Sequence, residues 1–140
     1  MLAPHSLSKR YFMQHYYSTP ITCDILGGIS TTTLNRMIKE NGFPEPVLTG
    51  RSHHHEISKI FKWLTNEARR HIGETDRLLS SKTIEAIFKR SPAWVWQKFQ
   101  KDKARKAKAI YLRSRPYWLE SEIYADHELR KYLDIVEGAI

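Results

Sequence analysis

Residues 30 to 39 combine short hydroxyls, an amide and two long cations, which are side chains that can contact the edges of DNA bases. The hydroxyls come first, as Ser30-Thr31-Thr32-Thr33, and Asn35, Arg36 and Lys39 follow. Amide and guanidinium groups can form paired hydrogen bonds with single bases, whereas hydroxyls and ammonium groups reach bases or phosphates. The chemistry that this stretch favours is therefore recognition of a nucleic acid.

A helix over this stretch would bring the polar side chains to one face. Leu34, Met37 and Ile38 recur at the spacing of a buried helical stripe, which leaves the polar residues on the outer side. Ser30 predicts the N-cap of this helix, and Gly42 predicts its end. We expect the bases to be read by Ser30, Thr31, Thr32, Asn35 and Arg36, with Thr33 and Lys39 flanking them.

A shorter helix is predicted before the Gly27-Gly28 turn. Thr19 or Thr22 would cap it, and its inward side would consist of Ile21, Ile25 and Leu26. Two short helices joined by a tight turn form a helix-turn-helix, whose second helix lies in the major groove of DNA. The first helix would brace the second.

A small hairpin is predicted after the second helix. Residues 43 to 46, Phe-Pro-Glu-Pro, cannot be helical, and residues 47 to 49 precede a Gly50-Arg51 turn. Beside a helix-turn-helix, such a hairpin is a wing, with Arg51 and His53 placed to contact phosphates or the minor groove. The following helix, residues 56 to 64, would close the core with an apolar stripe of Ile57, Ile60, Phe61 and Leu64.

These pieces resemble the AlpA-type regulators and excisionases of phages and mobile elements, which are small winged helix-turn-helix proteins of the MerR-like group. The resemblance covers residues 20 to 66. It rests on the hydroxyl-rich helix start, the Gly-Phe-Pro-x-Pro exit, the Gly-Arg turn, and Glu56-Ile57 leading to Trp63-Leu64. It implies a DNA-binding transcriptional regulator or a recombination directionality factor.

The second half of the chain repeats the pattern about 61 residues later. Ser91-Pro92 is a strong helix start, and Val95 with Phe99 supplies an inward stripe like that of Leu34 and Ile38. Residues 109 to 119 alternate around a cationic turn, which predicts a second wing, and a terminal helix is predicted from Ser121 onward. In this unit the DNA contacts are assigned to Trp94, Gln97, Lys98, Lys101, Lys103, Arg105, Lys106, Lys108, Arg113 and Arg115.

Charge supports a polyanionic partner. The formal net charge is +8, and residues 89 to 115 contain ten Lys or Arg against the single acid Asp102. Residues 116 to 140 contain two basic residues against six acids. The positive field is thus concentrated in the second unit, although a solvated charged face is the ordinary explanation for such a run.

Neither catalysis nor metal binding is predicted. The chain lacks the glycine loops, the Cys-x-x-Cys pair and the nucleophile motifs of common enzymes, and its acids lie away from the basic run. The triplet His53-His54-His55 alternates between faces of a strand, and no second cysteine completes a zinc site. Cys23 is the only cysteine, so an internal disulfide is excluded and a buried thiol is expected. We expect no enzyme activity, no cofactor and no metal.

The predicted fold class is mainly α with small β-hairpin wings, arranged as a tandem winged helix-turn-helix. Its parts are an N-terminal arm or short strand (1–19), a first winged unit (20–66), a partly helical linker (67–80) and a second winged unit (81–137). No apolar run approaches the roughly 18 residues of a membrane span, and the first residues lack a signal-peptide core. A cytoplasmic, nucleoid-associated protein is expected.

Double-stranded DNA is the predicted partner, and the chain would bind it as a homodimer, as a cooperative assembly or as a single tandem chain. The sequence leaves open whether it represses, activates or bends DNA for excision, since all three begin with the same contacts. A protein-interaction module is the alternative, because four tryptophans and seven tyrosines could form a protein-binding surface.

Overall fold

The computed structural model describes residues 14–138, and it describes side chains as far as Leu133. The chain divides between Thr75 and Asp76 into two compact units. Most of the segment predicted to be an arm, residues 1–13, lies outside the described residues, including its aromatic residues Tyr11 and Phe12.

The first unit contains three helices and a three-stranded antiparallel sheet among its described residues. The elements are β1 (Tyr16–Ser18), α1 (Thr19–Ile25), α2 (Thr31–Glu40), β2 (Val47–Thr49), β3 (Ser52–Glu56) and α3 (Ile57–Ala68). The strands lie in the order β1-β3-β2, with Tyr17 opposite His55 and Leu48 opposite His53. The predicted hairpin at residues 47 to 56 is confirmed, and the segment before α1 adds a third strand.

Helix α1 begins earlier than predicted. Ser18, rather than Thr19 or Thr22, is the N-cap, and Pro20 occupies the first turn. The stripe is shifted accordingly, so that Thr22, Cys23 and Leu26 are buried while Ile21 is 49% exposed. The prediction that Ile21 faces inward was therefore wrong, because the strand β1 fixes the start of the helix and hence its rotation.

Backbone turns set the ends of α2. Gly27 and Gly28 have φ of 91° and 80°, a conformation that glycine adopts without a Cβ penalty. Ser30 caps the helix by accepting a hydrogen bond from the Thr33 backbone N–H at 3.1 Å. At the other end the N–H of Phe43 donates to the Met37 carbonyl across Gly42. The predicted start and end of this helix are confirmed.

The second unit has the same order of elements at its start. These are β4 (Leu78–Ser80), α4 (Ser81–Phe88), α5 (Pro92–Val95), which continues as a π-helical segment Trp96–Lys101, α6 (Lys103–Ala107), β5 (Ile110–Leu112), β6 (Arg115–Leu119), α7 (Glu120–Ala125) and α8 (His127–Gly138). The strand order β4-β6-β5 matches that of the first sheet. Its core is an apolar cluster of Leu79, Ile84, Phe88, Val95, Phe99, Trp118, Ile123 and Leu129.

The predicted linker, residues 67 to 80, contains part of each unit. Helix α3 continues to Ala68, and Leu78 and Leu79 are buried on a strand paired with Leu119 and Trp118. Asp76 accepts a hydrogen bond from the Ser121 backbone N–H at 3.1 Å, which fixes the segment before β4. A three-residue strand is too short to show a period, so the sequence did not reveal it.

The predicted single terminal helix is two helices separated at Asp126. This residue has an extended backbone, with φ −76° and ψ 115°, and its carboxylate accepts the backbone N–H of Leu129 at 3.1 Å. The same carboxylate forms a two-pronged ion pair with Arg105, at 2.9 and 3.1 Å. Asp126 thus starts α8 and ties that helix to α6.

Arg105 is the buried cation of the second unit. Its side chain is 11% exposed and pairs with Asp102 and Glu128 as well as with Asp126. These bonds raise the pKa of the guanidinium further, and the hydrogen bond from Arg105 keeps the pKa of Asp126 below its usual range. The Arg105 carbonyl also accepts the indole N–H of buried Trp118 at 3.0 Å. Both its side chain and its backbone therefore hold the core.

We predict that Arg105→Ala destabilises the second unit by about 3 kcal/mol, because it leaves the partly buried carboxylate of Asp126 without its cation. Asp126→Asn keeps an oxygen to cap α8 but removes the charge and one of its two acceptors for Arg105, so it tests the two-pronged ion pair without removing the cap. Urea unfolding followed by tryptophan fluorescence reports on this unit, which contains three of the four tryptophans.

The matched control is Lys106→Ala, which removes the next, exposed cation of the same helix. It should change the free energy of unfolding by less than about 0.5 kcal/mol. Equal losses for Arg105→Ala and Lys106→Ala would show that the ion pairs do not hold α8 in place.

Candidate nucleic-acid interface

Helix α2 exposes the residues that the sequence assigned to base reading. Leu34 and Met37 are buried and Ile38 is half-buried, so the predicted inward stripe is confirmed. The opposite side carries five exposed side chains, Thr31, Thr32, Asn35, Arg36 and Lys39. One helix face thus presents hydroxyl, amide, guanidinium and ammonium groups together, with the ammonium of Lys39 in the last turn.

Ser30 and Thr33 serve first to build the helix start. The Ser30 hydroxyl accepts the Thr33 backbone N–H and donates to the Thr33 hydroxyl at 3.0 Å. Thr31 forms a hydrogen bond with Cys23, whose burial raises the pKa of the thiol. These contacts stiffen the turn and the first residues of α2, which positions Asn35 and Arg36 one turn later.

The first hairpin carries a cation at its tip. Thr49 pairs with Ser52, so Gly50 and Arg51 form a two-residue turn, and Gly50 has the positive φ of 60° required at its first position. Arg51 and His53 are both exposed. Leu48, opposite His53, is 62% exposed and adds an apolar group to the same strand pair.

The three histidines differ in burial: His53 is exposed, His54 is half-buried and His55 is buried. His55 is buried in β3, where its Nε2 lies 3.3 Å from the Thr19 hydroxyl and its ring lies beside Phe43. Its Nδ1 is buried with no hydrogen-bond partner among the described residues. Burial, with smaller contributions from His53 and His54, lowers the pKa of His55 to about 4. His55 is therefore a neutral core residue, whereas His53 remains available at the surface.

The corresponding helix of the second unit begins at Ser91, which accepts the backbone N–H of Trp94 at 3.2 Å. Val95 and Phe99 are buried, as predicted. From Trp96 to Lys101 the helix is π-helical, which widens the turn that follows its start. The exposed side chains of this segment are Trp96, Gln97 and Lys101.

Two residues assigned to DNA contact in this helix are engaged inside the unit. Trp94 packs against Phe88 and Tyr132, with ring centroids 5.3 and 5.0 Å apart. The Lys98 amine lies 3.2 Å from Glu128 and 5.3 Å from the centre of the Tyr132 ring. Trp94 is thus part of the core, whereas the ion pair of Lys98 lies at the surface and the assignment of Lys98 to DNA stays a prediction.

The basic run also separates into structural and exposed cations. Arg105, which the sequence assigned to DNA, is held by three carboxylates, so its guanidinium is engaged within the unit. Lys103, Lys106 and Lys108 are exposed on or just after α6. The run has this form because α6 begins at Asp102, whose carboxylate accepts the backbone N–H groups of Ala104 and Arg105. One interpretation of the basic run was a solvated charged face. The structure instead has a short helix with one buried arginine and several exposed lysines.

The second hairpin ends in a strained two-residue turn. Arg113 and Ser114 have φ of 48° and 73°, a conformation that asparagine and glycine adopt more readily. Leu112 pairs with Arg115 across this turn, and both Arg113 and Arg115 are exposed. The backbone thus holds two guanidinium-bearing residues at the hairpin tip despite the conformational cost.

The sequence left Trp94 and Trp96 to divide between the core and a DNA face, and Trp94 was the one assigned to DNA. Trp96 is 52% exposed, whereas its neighbour Trp94 is packed inside the unit. The repeat contained the signal: Ser91 corresponds to Ser30 and Val95 to Leu34, so Trp96 occupies the place of Asn35. Because both residues are tryptophans, side-chain type alone could not distinguish them. Their positions relative to the Ser91 cap do.

No family model, curated protein or solved structure matches this chain. Within residues 14–138, no three His, Cys, Asp or Glu side chains come together as a metal site would require. In the same part of the chain, the helices lack the length and apolar character that crossing a membrane demands.

The buried His55 predicts a pH dependence for the first unit. Its folded pKa of about 4 lies below the ordinary value of 6.5, so the unfolded chain takes up a proton first as the pH falls. The contribution of His55 to stability is complete above pH 6.5 and decreases toward pH 4, by at most about 1.4 kcal/mol per pH unit.

Denaturant unfolding of the parent and of His55→Phe, between about pH 7.5 and about pH 4, measures the contribution of His55 to stability across its two pKa values. As the pH falls, the free energy of unfolding of the parent should decrease relative to that of His55→Phe. His71→Ala, which removes an exposed histidine of the same unit, should retain the dependence of the parent. A pH-independent difference would show that His55 titrates normally in the folded protein.

Proposed function

We propose that this protein binds double-stranded DNA in a sequence-specific manner and acts as a transcriptional regulator of a phage or mobile element. The observation that carries the proposal is the exposed face of α2. A Ser-capped helix places Asn35 and Arg36 outward over a buried Leu34-Met37 side, immediately after a glycine turn. This is the arrangement by which a recognition helix is presented to the major groove.

The hairpins support the same function. In each unit a two-residue turn follows the exposed helix and carries an exposed arginine, Arg51 in the first unit and Arg113 with Arg115 in the second. Arginines at a wing tip contact phosphates or the minor groove and fix the register of the helix in its groove. The family resemblance of residues 20 to 66 adds an AlpA-type winged helix-turn-helix, duplicated in tandem, as the proposed fold family.

Two further functions remain candidates. An excisionase-like factor would use the same contacts to bend DNA, and a change in DNA end-to-end distance on binding would distinguish it from a repressor. A protein-interaction module is favoured by one observation: Leu48 and Tyr111 are exposed in the middle of the edge strands β2 and β5, at 62% and 51%. Salt separates these candidates, because phosphate contacts weaken steeply with ionic strength and an apolar interface does not.

We predict that Asn35→Ala and Arg36→Ala lose sequence discrimination. Each should cost about 1 to 3 kcal/mol against the preferred site, because each removes a bidentate contact to one base. Selection of bound sequences from random duplexes supplies the site, and titration of the selected and scrambled duplexes measures the ratio of their affinities.

Asn66→Ala and Lys62→Ala are the matched controls, since they remove an exposed amide and an exposed cation from α3 of the same unit. Both should leave the affinity ratio unchanged. If the two α2 variants also leave it unchanged, α2 does not read the sequence.

We further propose divided labour, in which the second unit supplies more of the non-specific affinity. Lys103 and Lys106 are exposed on one short helix. Contacts of such side chains with phosphates position a protein on DNA without reading the base sequence. Replacing both by alanine should weaken binding to all duplexes alike and reduce the salt slope by about 1.8, or 0.9 per lost phosphate contact.

The control for this pair is Lys82→Ala with Lys131→Ala, which lowers the net charge of the same unit by the same amount at exposed positions of α4 and α8. An equal change of slope would mean that net charge alone matters. A loss of specific binding with an unchanged slope would assign base reading to α6 and reverse the proposed roles of the two units.

A further inference from the structure

Trp96 is a large apolar side chain on a helix face that is otherwise polar. It is 52% exposed, and Gln97 beside it and Lys101 one turn later are exposed as well. The core of the unit does not need its ring, because Val95 and Phe99 fill the inner side of the helix and Trp94 packs on Phe88. An indole left in this position is available to a partner outside the unit.

The position of Trp96 is set by the same devices that position Asn35. Ser91 caps its helix as Ser30 caps α2, and each cap accepts a backbone N–H three residues along the chain. The buried residue four places after the cap is Val95 in one unit and Leu34 in the other. Trp96 therefore stands at the first outward position beyond the opening turn, as Asn35 does.

We infer that Trp96 is a base-reading residue of the second unit and that its ring packs against the 5-methyl group of a thymine. The inference rests on the proposed DNA-binding function and specifies its substrate. In the major groove the thymine methyl is the apolar group that a base pair presents, and the other readable groups are hydrogen-bond donors or acceptors. An indole on a recognition helix is complementary to that methyl.

Charge on the same unit specifies DNA as the occupant of this face. Lys101 is exposed on the helix that carries Trp96, and Lys103 and Lys106 follow within five residues. The acids nearest in sequence are engaged, because Asp102 pairs with Arg105 and caps α6. An exposed indole followed along the chain by exposed lysines suits a groove floor flanked by phosphates.

The two units then differ in the bases they prefer. Asn35 and Arg36 match purine edges, whereas Trp96 matches thymine and Gln97 matches adenine. The full site would consequently be asymmetric, with the methyl contact of Trp96 falling on the bases under the second unit.

The test uses the full chain and the duplex enriched by selection. Each thymine is replaced in turn by deoxyuridine, which removes the 5-methyl and leaves base pairing intact. At one position the parent protein should bind about fourfold more weakly, the effect of withdrawing one methyl-sized apolar group from contact. Trp96→Gln should bind the thymine and deoxyuridine duplexes equally, and Trp96→Phe should keep part of the difference.

Tyr124→Ala is the control, since it removes an exposed aromatic residue from α7 of the same unit and should keep the fourfold ratio. If a duplex is selected but no thymine is methyl-sensitive, or Trp96→Gln retains the ratio, the inference is wrong while DNA binding stands. If no sequence is enriched and binding is insensitive to salt, the proposed function is wrong and the inference falls with it.

Discussion

The ion pairs of Arg105 are the interaction on which the second unit depends. A guanidinium buried in a small core is costly unless its hydrogen-bonding groups are satisfied, and here Asp102, Asp126 and Glu128 supply the acceptors. Because Asp126 also caps α8, the same contact determines where that helix begins. Helix α8 in turn brings Tyr132 to Trp94 and Glu128 to Lys98. The side of the Ser91-capped helix that faces inward thus depends on the ion pair between Arg105 and Asp126, which lie 21 residues apart along the chain.

The first unit reaches the same topology with a different interior. Its β3 carries His55 where β6 carries Trp118, opposite Tyr17 and Leu79 respectively. The indole N–H of Trp118 has a partner in the Arg105 carbonyl, whereas Nδ1 of His55 has none among the described residues. A neutral imidazole is tolerated there because the ring of Phe43, itself packed against Trp63, lies beside it, and because burial suppresses its charge. One arrangement of strands therefore accommodates two unrelated cores, of which one contains a histidine with a lowered pKa.

The proposed function follows from what each unit leaves exposed after its core is complete. In the first unit the outward residues of α2 are hydrogen-bonding groups, which suit base edges. In the second unit several cations of the basic run are used internally, and the exposed remainder is an indole with lysines around it. The two surfaces differ in chemistry although they occupy the same position relative to their caps, so under the proposed function the two units would make unlike contacts.

Local signals in the sequence determined the elements that carry the candidate site. Ser30, Ser91, the Gly27-Gly28 turn and the stripe of Leu34 and Met37 act over one or two helical turns, so they could be interpreted without the fold. The first hairpin was predictable from its Gly50-Arg51 turn, and the second from the alternation of residues 109 to 119. Only the tertiary structure decided which cations and which tryptophan remain exposed, because Arg105 pairs with Glu128 of α8 and Trp94 packs on Tyr132 of α8. It also decided that Leu78 and Leu79 form a strand and that Asp126 divides two helices. Those outcomes depend on partners far along the chain, and no periodicity within a short segment encodes them.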